Sequence, residues 1–172
     1  MKWTILKVGQ EKNGEIIFDS DIDDWDIGTS VLEEKLVGRS HIVFLIEDTE
    51  NNKFGYYLSE KGSLNKYDYY STDRNSFLFS LQSNGRLKGM MKFEIKNTDA
   101  GYYIPPKTNN TLIQLGLGSN GAIHLKKSSY KSQSYCYQNN NYFNYHSTSN
   151  PFIGKRDYTP FTPKRINVIQ MK

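Results

Sequence analysis

Short apolar runs separated by polar turns dominate the hydrophobic pattern of this 172-residue chain. The run "HIVFLIED", residues 41–48, is long enough to form a strand that is buried on both faces. The "TENN" that follows provides a turn, and "KFGYYLSE" predicts the returning strand of a hairpin. Gly55 inside this second strand indicates a bulge or a close approach of another backbone.

The same alternation predicts two more hairpins and two single strands. "SFLFSLQ" and "MMKFEIK" flank a turn at Asn84 and Gly85, and "TLIQLGLG" and "AIHLKKS" flank a turn at residues 119–121. "SYCYQ" and the final "RINVIQMK" are further strands. Residues 60–75 and 97–110 are predicted loops, and residues 139–161 form a long polar stretch rich in aromatic side chains.

The fold class that these elements predict is mainly β, in the α+β sense. Closely spaced strands joined by turns indicate a β-sandwich of antiparallel strands with one or two short flanking helices. The helix signal is "TSVLEEKLVG", in which Ser30 and Glu33 have the spacing of a capping box and Gly38 provides a stop. The length fits one domain, which we place at residues 15–172 after an N-terminal extension of residues 1–14.

Cysteine usage and hydropathy set the expected compartment. Cys136 is the only cysteine, so an intramolecular disulfide is impossible and a reducing compartment is expected. No apolar run approaches the ~18 residues of a membrane span, and the N-terminus becomes polar too early for a signal peptide. We therefore expect an intracellular protein without membrane insertion, in the cytoplasm or alternatively in the nucleus.

The net charge of +4 conceals a difference between the two halves of the chain. Residues 1–86 contain 10 Lys and Arg against 15 Asp and Glu, a net charge of −5. Residues 87–172 contain 12 against 3, a net charge of +9. Either the second half presents a basic surface to an anionic partner, or the halves interleave in the fold and neutralise each other.

The stretch "IIFDSDIDDWDIG" places five aspartates within residues 19–26. A calcium-binding loop starting at Asp19 needs Gly at its sixth position and a bidentate Glu at its twelfth. Those positions are Asp24 and Ser30, and the frame starting at Asp21 is no better. The pattern favours a solvated turn between a strand and a helix, and we predict no metal site and no cofactor.

Candidate catalytic residues are equally sparse. His41, His124 and His146 are far apart in sequence, and with one cysteine they match no zinc pattern. Cys136 lies between tyrosines in a strand, as a core residue would, although a Cys/His/Asp arrangement stays an alternative because such partners need not be neighbours in sequence. We assign no catalytic residue and expect a protein that is not an enzyme.

Basic and aromatic residues are concentrated in the second half, in "HLKKSSYKSQSYCYQNNNYFNYH" and "GKRDYTPFTPKR". Lysine and arginine contact phosphates, and tyrosine rings stack on bases or anchor protein partners. The candidate residues for binding a partner or a nucleic acid are Lys126, Lys127, Lys131, Arg156, Lys164, Arg165, Tyr135 and Tyr137, with Tyr130 as a further ring. The same residues could equally be solvated strand edges and loops.

In its order of motifs, the chain resembles a TLDc domain from about residue 15 to residue 172. The corresponding segments are Phe18–Asp24, Ser30–Val37, Ile42–Glu47, Phe54–Gly55, Phe77–Leu81, Gly116–Gly121 and Ser134–Cys136. The family usually has a second Gly after Phe-Gly, where this chain has Tyr56, and an acidic-aromatic pair in the last strand, which is absent here. The chain resembles a divergent member.

The resemblance implies a β-sandwich flanked by short helices that acts as a protein-interaction module. It links the chain to resistance to oxidative stress and to binding and regulation of the vacuolar-type proton ATPase, and it implies no catalytic residues. A nucleic-acid-binding regulator of a stress response, using the basic and Tyr-rich second half, is the alternative.

Overall fold

The computed structural model describes residues 3–7, 10–61, 74–96, 101–116, 121–138 and 140–172, which form two antiparallel sheets. The strands of the first sheet are β1 (Trp3–Lys7), β2 (Gln10–Asp19), β3 (Ile42–Asp48), β4 (Lys53–Leu58), β5 (Phe77–Gln82), β6 (Met91–Glu94) and β12 (Pro163–Met171). Those of the second sheet are β7 (Tyr102–Tyr103), β8 (Thr111–Leu115), β9 (Ile123–Lys126), β10 (Ser134–Cys136) and β11 (Pro160–Phe161).

The strand order is β1-β2-β12-β3-β4-β5-β6 in the first sheet and β11-β10-β9-β8-β7 in the second. Helix α1 (Leu32–Leu36) and a 3₁₀ helix (Ser128–Gln133) are the helical elements of the described residues. The predicted fold class, an antiparallel β-sandwich with short helices, is confirmed.

One apolar core joins the two sheets, because alternate residues of each strand point to the same side. From the first sheet, Phe44 and Ile46 are fully buried, and the Phe44 ring meets Tyr102 of the second sheet with centroids 6.2 Å apart. The irregular stretch before β11 adds the buried rings of Phe143 and Phe152. This stretch, which is polar in most of its sequence, therefore contributes aromatic side chains to the core.

The three predicted hairpins are confirmed by strand pairing: β3 with β4, β5 with β6, and β8 with β9. Asn84 and Gly85 both have positive φ, as the predicted turn requires. The turn predicted at 119–121 lies outside the described residues except for Gly121, and so does most of the loop predicted at 60–75.

Short strands that the sequence pattern did not predict include β1 and β7. Tyr102–Tyr103 lies within the predicted loop of residues 97–110, so that part of the prediction is wrong. It pairs with β8 because the Tyr102 ring is buried, a tertiary contact that two residues cannot signal in sequence. Strand β1 pairs with Gln10–Gly14 of β2 at the edge of the first sheet. The assignment of residues 1–14 as a separate extension stays a prediction.

The predicted capping box is also wrong in detail. Helix α1 begins at Leu32, and the Ser30 hydroxyl accepts a hydrogen bond from the backbone N–H of Leu32 at 3.4 Å rather than from Glu33. The backbone just before the helix is bonded to the aspartate turn, because the N–H of Val31 donates a hydrogen bond to the carbonyl of Asp24. Gly38, with φ +71°, follows the helix as expected.

The charges of the two halves of the sequence neutralise each other in the fold. Strand β12, from the basic half, lies between β2 and β3, from the acidic half. Ion pairs join the two halves at Lys107–Glu34, Lys155–Glu50, Lys164–Glu47, Arg165–Asp19 and Lys172–Glu15. Of the two alternatives drawn from the charge asymmetry, interleaving is the one that these contacts support.

Candidate interaction surface

The aspartate cluster ties chain segments together. The backbone N–H of Asp19 donates to Asp23 Oδ2 at 2.9 Å, and Asp23 also pairs with Lys35 at 2.7 Å. The Ser129 hydroxyl donates to Asp26 Oδ2 at 2.6 Å, which joins this turn to the 3₁₀ helix and lowers the pKa of Asp26 to about 2. Within the described residues, no group of three or more His, Cys, Asp or Glu side chains is arranged to hold a metal ion.

Arg165 connects the same turn to β12. Its Nε lies 3.0 Å from Asp19 Oδ1 and 3.2 Å from Asp21 Oδ2. The hydrogen bond from Arg165 is the main cause that lowers the pKa of Asp19, a buried carboxylate. This predicted binding residue is therefore engaged within the fold.

This ion pair gives the first testable prediction. Because the pKa of Asp19 is lower in the folded state, the pair stabilises the fold above the ordinary Asp pKa of about 3.9, and this contribution disappears as the pH falls below it. Arg165→Gln should lower the free energy of unfolding by about 1 kcal/mol at pH 7, a modest loss because the arginine is partly solvated. In this variant the free energy of unfolding should also fall less steeply as the pH is lowered. Urea unfolding between pH 7 and pH 3 measures both effects.

Lys131→Gln is the matched control, because Lys131 is exposed and forms no ion pair with a described residue. It should leave the stability and its pH dependence unchanged. If the free energy of unfolding falls as steeply toward low pH in Arg165→Gln as in the unchanged protein, the role assigned to the pair is contradicted.

Cys136 lies in the core on the inner side of β10. It pairs with Ile123 of β9, whereas the neighbouring Tyr135 pairs with His124 and stacks on its ring on the opposite face of the sheet. Burial raises the pKa of the Cys136 thiol well above its ordinary value, so the thiolate is disfavoured. His41 and His146 contact Tyr57 and Glu94, respectively.

The remaining predicted cations are divided between the two sheets. Lys164, like Arg165, belongs to the first sheet and pairs with Glu47 at 2.7 Å. Lys127 is buried, and its ammonium donates to the carbonyl of Lys107. On β9, the Lys126 ammonium donates to Thr111 Oγ1 at 2.9 Å. Lys131 and Arg156 are exposed in segments that flank the second sheet, as is Tyr130, 38% exposed.

A single row of side chains crosses the outer face of the second sheet. Strand register places Pro160 opposite Tyr135, Tyr135 opposite His124, His124 opposite Gln114, and Gln114 opposite Tyr103. The alternate residues of these strands, such as Ile123 and Leu115, are buried in the core, so the row lies on the outer face of the sheet. His124, at its centre, is only 4% exposed, whereas the other members are partly or fully exposed. We call these five residues, Tyr103, Gln114, His124, Tyr135 and Pro160, the outer row.

Two further tyrosines extend this surface next to Tyr135. The Tyr158 ring centroid lies 5.0 Å from that of Tyr137, with nearly parallel planes, and 5.4 Å from that of Tyr135. Tyr158 is 49% exposed. Tyr135, Tyr137 and Tyr158 form what we call the tyrosine stack, an aromatic surface that faces away from the core.

Two members of this stack could be identified from the sequence, and the third could not. Tyr135 is on β10, and Tyr137 lies just beyond the end of that strand, two residues further along. Strand periodicity therefore places both side chains on the same face. Tyr158 lies in an irregular turn and has φ +63°, which the sequence around it does not signal. Its position depends on the hydrogen bond from its N–H to the carbonyl of Cys136, at 3.0 Å.

A second, smaller apolar cluster lies on the outer side of the first sheet. Val43, Phe79, Ile169 and Met171 are buried there, with the partly exposed rings of Tyr57 and Phe77 against them. Beside them, Leu45, Glu47, Lys53, Arg165 and Asn167 line a shallow depression. Its two cations both pair with acidic residues of the chain, so the depression offers little free charge.

Helices in the described part of the chain are too short and too polar to cross a bilayer. Comparison with family models gives a match to the TLDc domain over residues 3–168, nearly the whole chain. Comparison with curated proteins gives no match. The family match confirms the resemblance drawn from the order of sequence motifs.

Proposed function

The chain belongs to the TLDc domain family, and on that premise we propose that it is a non-enzymatic protein-interaction module of the cytoplasm. The family resemblance suggests a partner, the vacuolar-type proton ATPase, and a physiological setting, resistance to oxidative stress. In this proposal the protein acts by binding and transforms no substrate.

The tyrosine stack is the observation that carries the proposal. Tyrosine is enriched among the residues that dominate binding energy at protein interfaces, because its rigid ring buries a large area and its hydroxyl remains satisfied in water. Tyr135, Tyr137 and Tyr158 lie side by side on the outer face of a sheet, where an incoming protein could cover them together.

The chemistry of the candidate nucleophile also supports a binding role. The Cys136 thiol is buried and its raised pKa opposes formation of the thiolate. The aspartates that could act as acids or bases are engaged with Arg165, Lys35 and Ser129. These contacts serve the fold, and they leave surface recognition as the activity best supported.

Capture from lysate tests this proposal. Tagged protein should recover subunits of the vacuolar-type proton ATPase. The double variant Tyr135→Ala/Tyr137→Ala should recover at least tenfold less, because two hot-spot tyrosines that cost about 1 kcal/mol each would together lower the affinity by more than tenfold. Quantitative mass spectrometry of the captured subunits is the measurement.

Tyr57→Ala serves as the matched control, since Tyr57 is a partly buried tyrosine on the outer face of the other sheet. It should capture the same subunits as the unchanged protein. Failure of the unchanged protein to capture the proton pump would count against the proposed partner. An equal loss of capture in Tyr57→Ala would count against the tyrosine stack as the binding surface.

A nucleic-acid-binding role is the second candidate, because single-stranded nucleic acids also stack on exposed tyrosines. Lys131 and Arg156 flank the second sheet and could contact phosphates, whereas Lys164 and Arg165 lie on the first sheet. A labelled single strand whose retardation falls steeply with added salt would favour this candidate, and unchanged mobility at low salt would remove it.

A further inference from the structure

Tyr158 holds an unusual backbone conformation for a large side chain. Its φ of +63° lies in the left-handed region, which glycine and asparagine adopt much more readily than tyrosine. The turn is fixed on both sides, since the Tyr158 N–H donates to the carbonyl of Cys136 and the Gln138 N–H donates to Asp157 Oδ1 at 2.9 Å. Glycine would satisfy the same backbone contacts without strain.

About half of Tyr158 is left exposed, so its ring is available for contacts outside the fold. Tyr158 stays 49% exposed, and its ring contacts two tyrosines that are themselves at the surface. Strained residues of this kind concentrate at functional sites, where the conformation serves an external contact. We propose that Tyr158 anchors an extended, proline-rich and acidic segment of a partner protein across the outer row; this inference rests on the proposed protein-binding function.

The outer row is suited to an uncharged, extended ligand backbone. His124 is stacked against the Tyr135 ring and only 4% exposed, and this burial lowers its pKa to about 4. The part of the row that a ligand can reach, Tyr103, Gln114, Tyr135 and Pro160, has no ionised side chain at neutral pH. Tyrosine hydroxyls and the Gln114 amide offer hydrogen-bond donors, and a polyproline II backbone has free carbonyls that accept them. Proline rings dock on aromatic surfaces in this conformation.

Addition of the ligand as a further strand on β11 is disfavoured. Strand β11 is the edge next to β10, and it has only two residues, of which Pro160 has no backbone N–H to donate. The ligand is therefore expected to lie on the face of the sheet and to use side-chain contacts.

The charge around the tyrosine stack sets the second property of the ligand. Lys131 and Arg156 are exposed and form no ion pair with a described residue. Asp157, the acid next to Tyr158, accepts the hydrogen bond from Gln138. Acidic residues in the partner segment would complement this cationic rim and speed association.

Fluorescence anisotropy of labelled synthetic peptides tests the inference. The probe is a twelve-residue Pro-Pro-Glu repeat, compared with a repeat in which Gly-Ser replaces Pro-Pro, a Pro-Pro-Gln repeat and an oligo(dT) strand. We expect the Pro-Pro-Glu peptide to bind most tightly, and Tyr158→Gly and Tyr158→Asn to weaken it at least tenfold without lowering the melting temperature. Tyr158→Phe keeps the ring and should bind within threefold of the unchanged protein.

Asn51→Gly is the matched control, because Asn51 has φ +62° in the turn between β3 and β4 of the first sheet. It changes a residue of positive φ on the other sheet, far from the tyrosine stack in the strand order, and should leave peptide binding unchanged. The inference is overturned if no peptide binds, if the Gly-Ser repeat or oligo(dT) binds as tightly as Pro-Pro-Glu, or if removal of the Tyr158 ring changes affinity less than twofold.

Melting and capture experiments separate the remaining outcomes. A lower melting temperature in both Tyr158→Gly and Tyr158→Asn would mark Tyr158 as structural and would also overturn the inference. Capture of proton-pump subunits together with failure of every peptide would reject the proline-rich ligand and leave the proposed function standing. Failure of the unchanged protein to capture the proton pump, together with tight Pro-Pro-Glu binding that depends on the Tyr158 ring, would reject the proposed partner alone.

Discussion

Gly55→Ala should lower the free energy of unfolding by about 3–5 kcal/mol, a loss in the upper range for single substitutions. A Cβ atom at this position would lie 1.8 Å from the carbonyl oxygen of Phe44 and 2.8 Å from Cζ of the Phe79 ring. Gly55 is on β4, between β3 and β5, so both neighbouring strands would have to move. Urea unfolding at neutral pH measures the change.

The reason for this expected loss is contact with backbone, which cannot rotate away as a flexible side chain can. Gly85→Ala is the control, since Gly85 has φ +81° but no atom of the described residues lies within 4 Å of the place a Cβ would take. It should cost only about 1 kcal/mol, from backbone strain. Equal losses at the two glycines would contradict the argument from close approach.

Phe152→Ala should cost about 3–5 kcal/mol, because it removes a fully enclosed ring from the core. The Phe152 ring meets those of Phe54 at 5.5 Å, Phe93 at 5.8 Å and Tyr145 at 6.2 Å. Phe152 lies outside regular secondary structure, and its carbonyl accepts a hydrogen bond from Arg86 at 2.9 Å. The substitution leaves a cavity where an irregular segment packs against the first sheet.

Phe77→Ala is the matched control, since Phe77 is partly exposed on the outer face of the same sheet. Removal of this ring should cost about 1–2 kcal/mol, because less apolar area returns to water and the space can fill with solvent. Both variants can be followed by thermal and urea unfolding. A smaller loss at Phe152 than at Phe77 would show that the irregular segment contributes little to the core.

Strand-rich architecture could be predicted from the sequence because strand and turn signals are local. Alternation in "KFGYYLSE" and the Asn84–Gly85 turn each depend on a few consecutive residues. Gly55 was also readable, since a glycine inside a strong strand pattern indicates either a bulge or a close backbone approach. The structure shows the close approach, to the carbonyl of Phe44.

The candidate site could be predicted only in part. Tyr135 and Tyr137 were identified from the concentration of basic and aromatic residues in the second half of the chain, and their rings lie together in the tyrosine stack. Lys164 and Arg165 were grouped with them in sequence, yet they belong to the other sheet and pair with Glu47 and Asp19. Sequence proximity does not specify which sheet a residue joins, because strand order follows long-range pairing.

By itself, the sequence determined the kinds of element, the main hairpins, the buried character of Cys136 and the family. Tertiary structure alone decided that β12 lies between β2 and β3, so that basic and acidic halves neutralise each other. It also decided that Tyr158 joins Tyr135 and Tyr137. The physical reason is that turns and strands arise from neighbouring residues, whereas ion pairs and ring stacks form between residues that only the closed sandwich brings together.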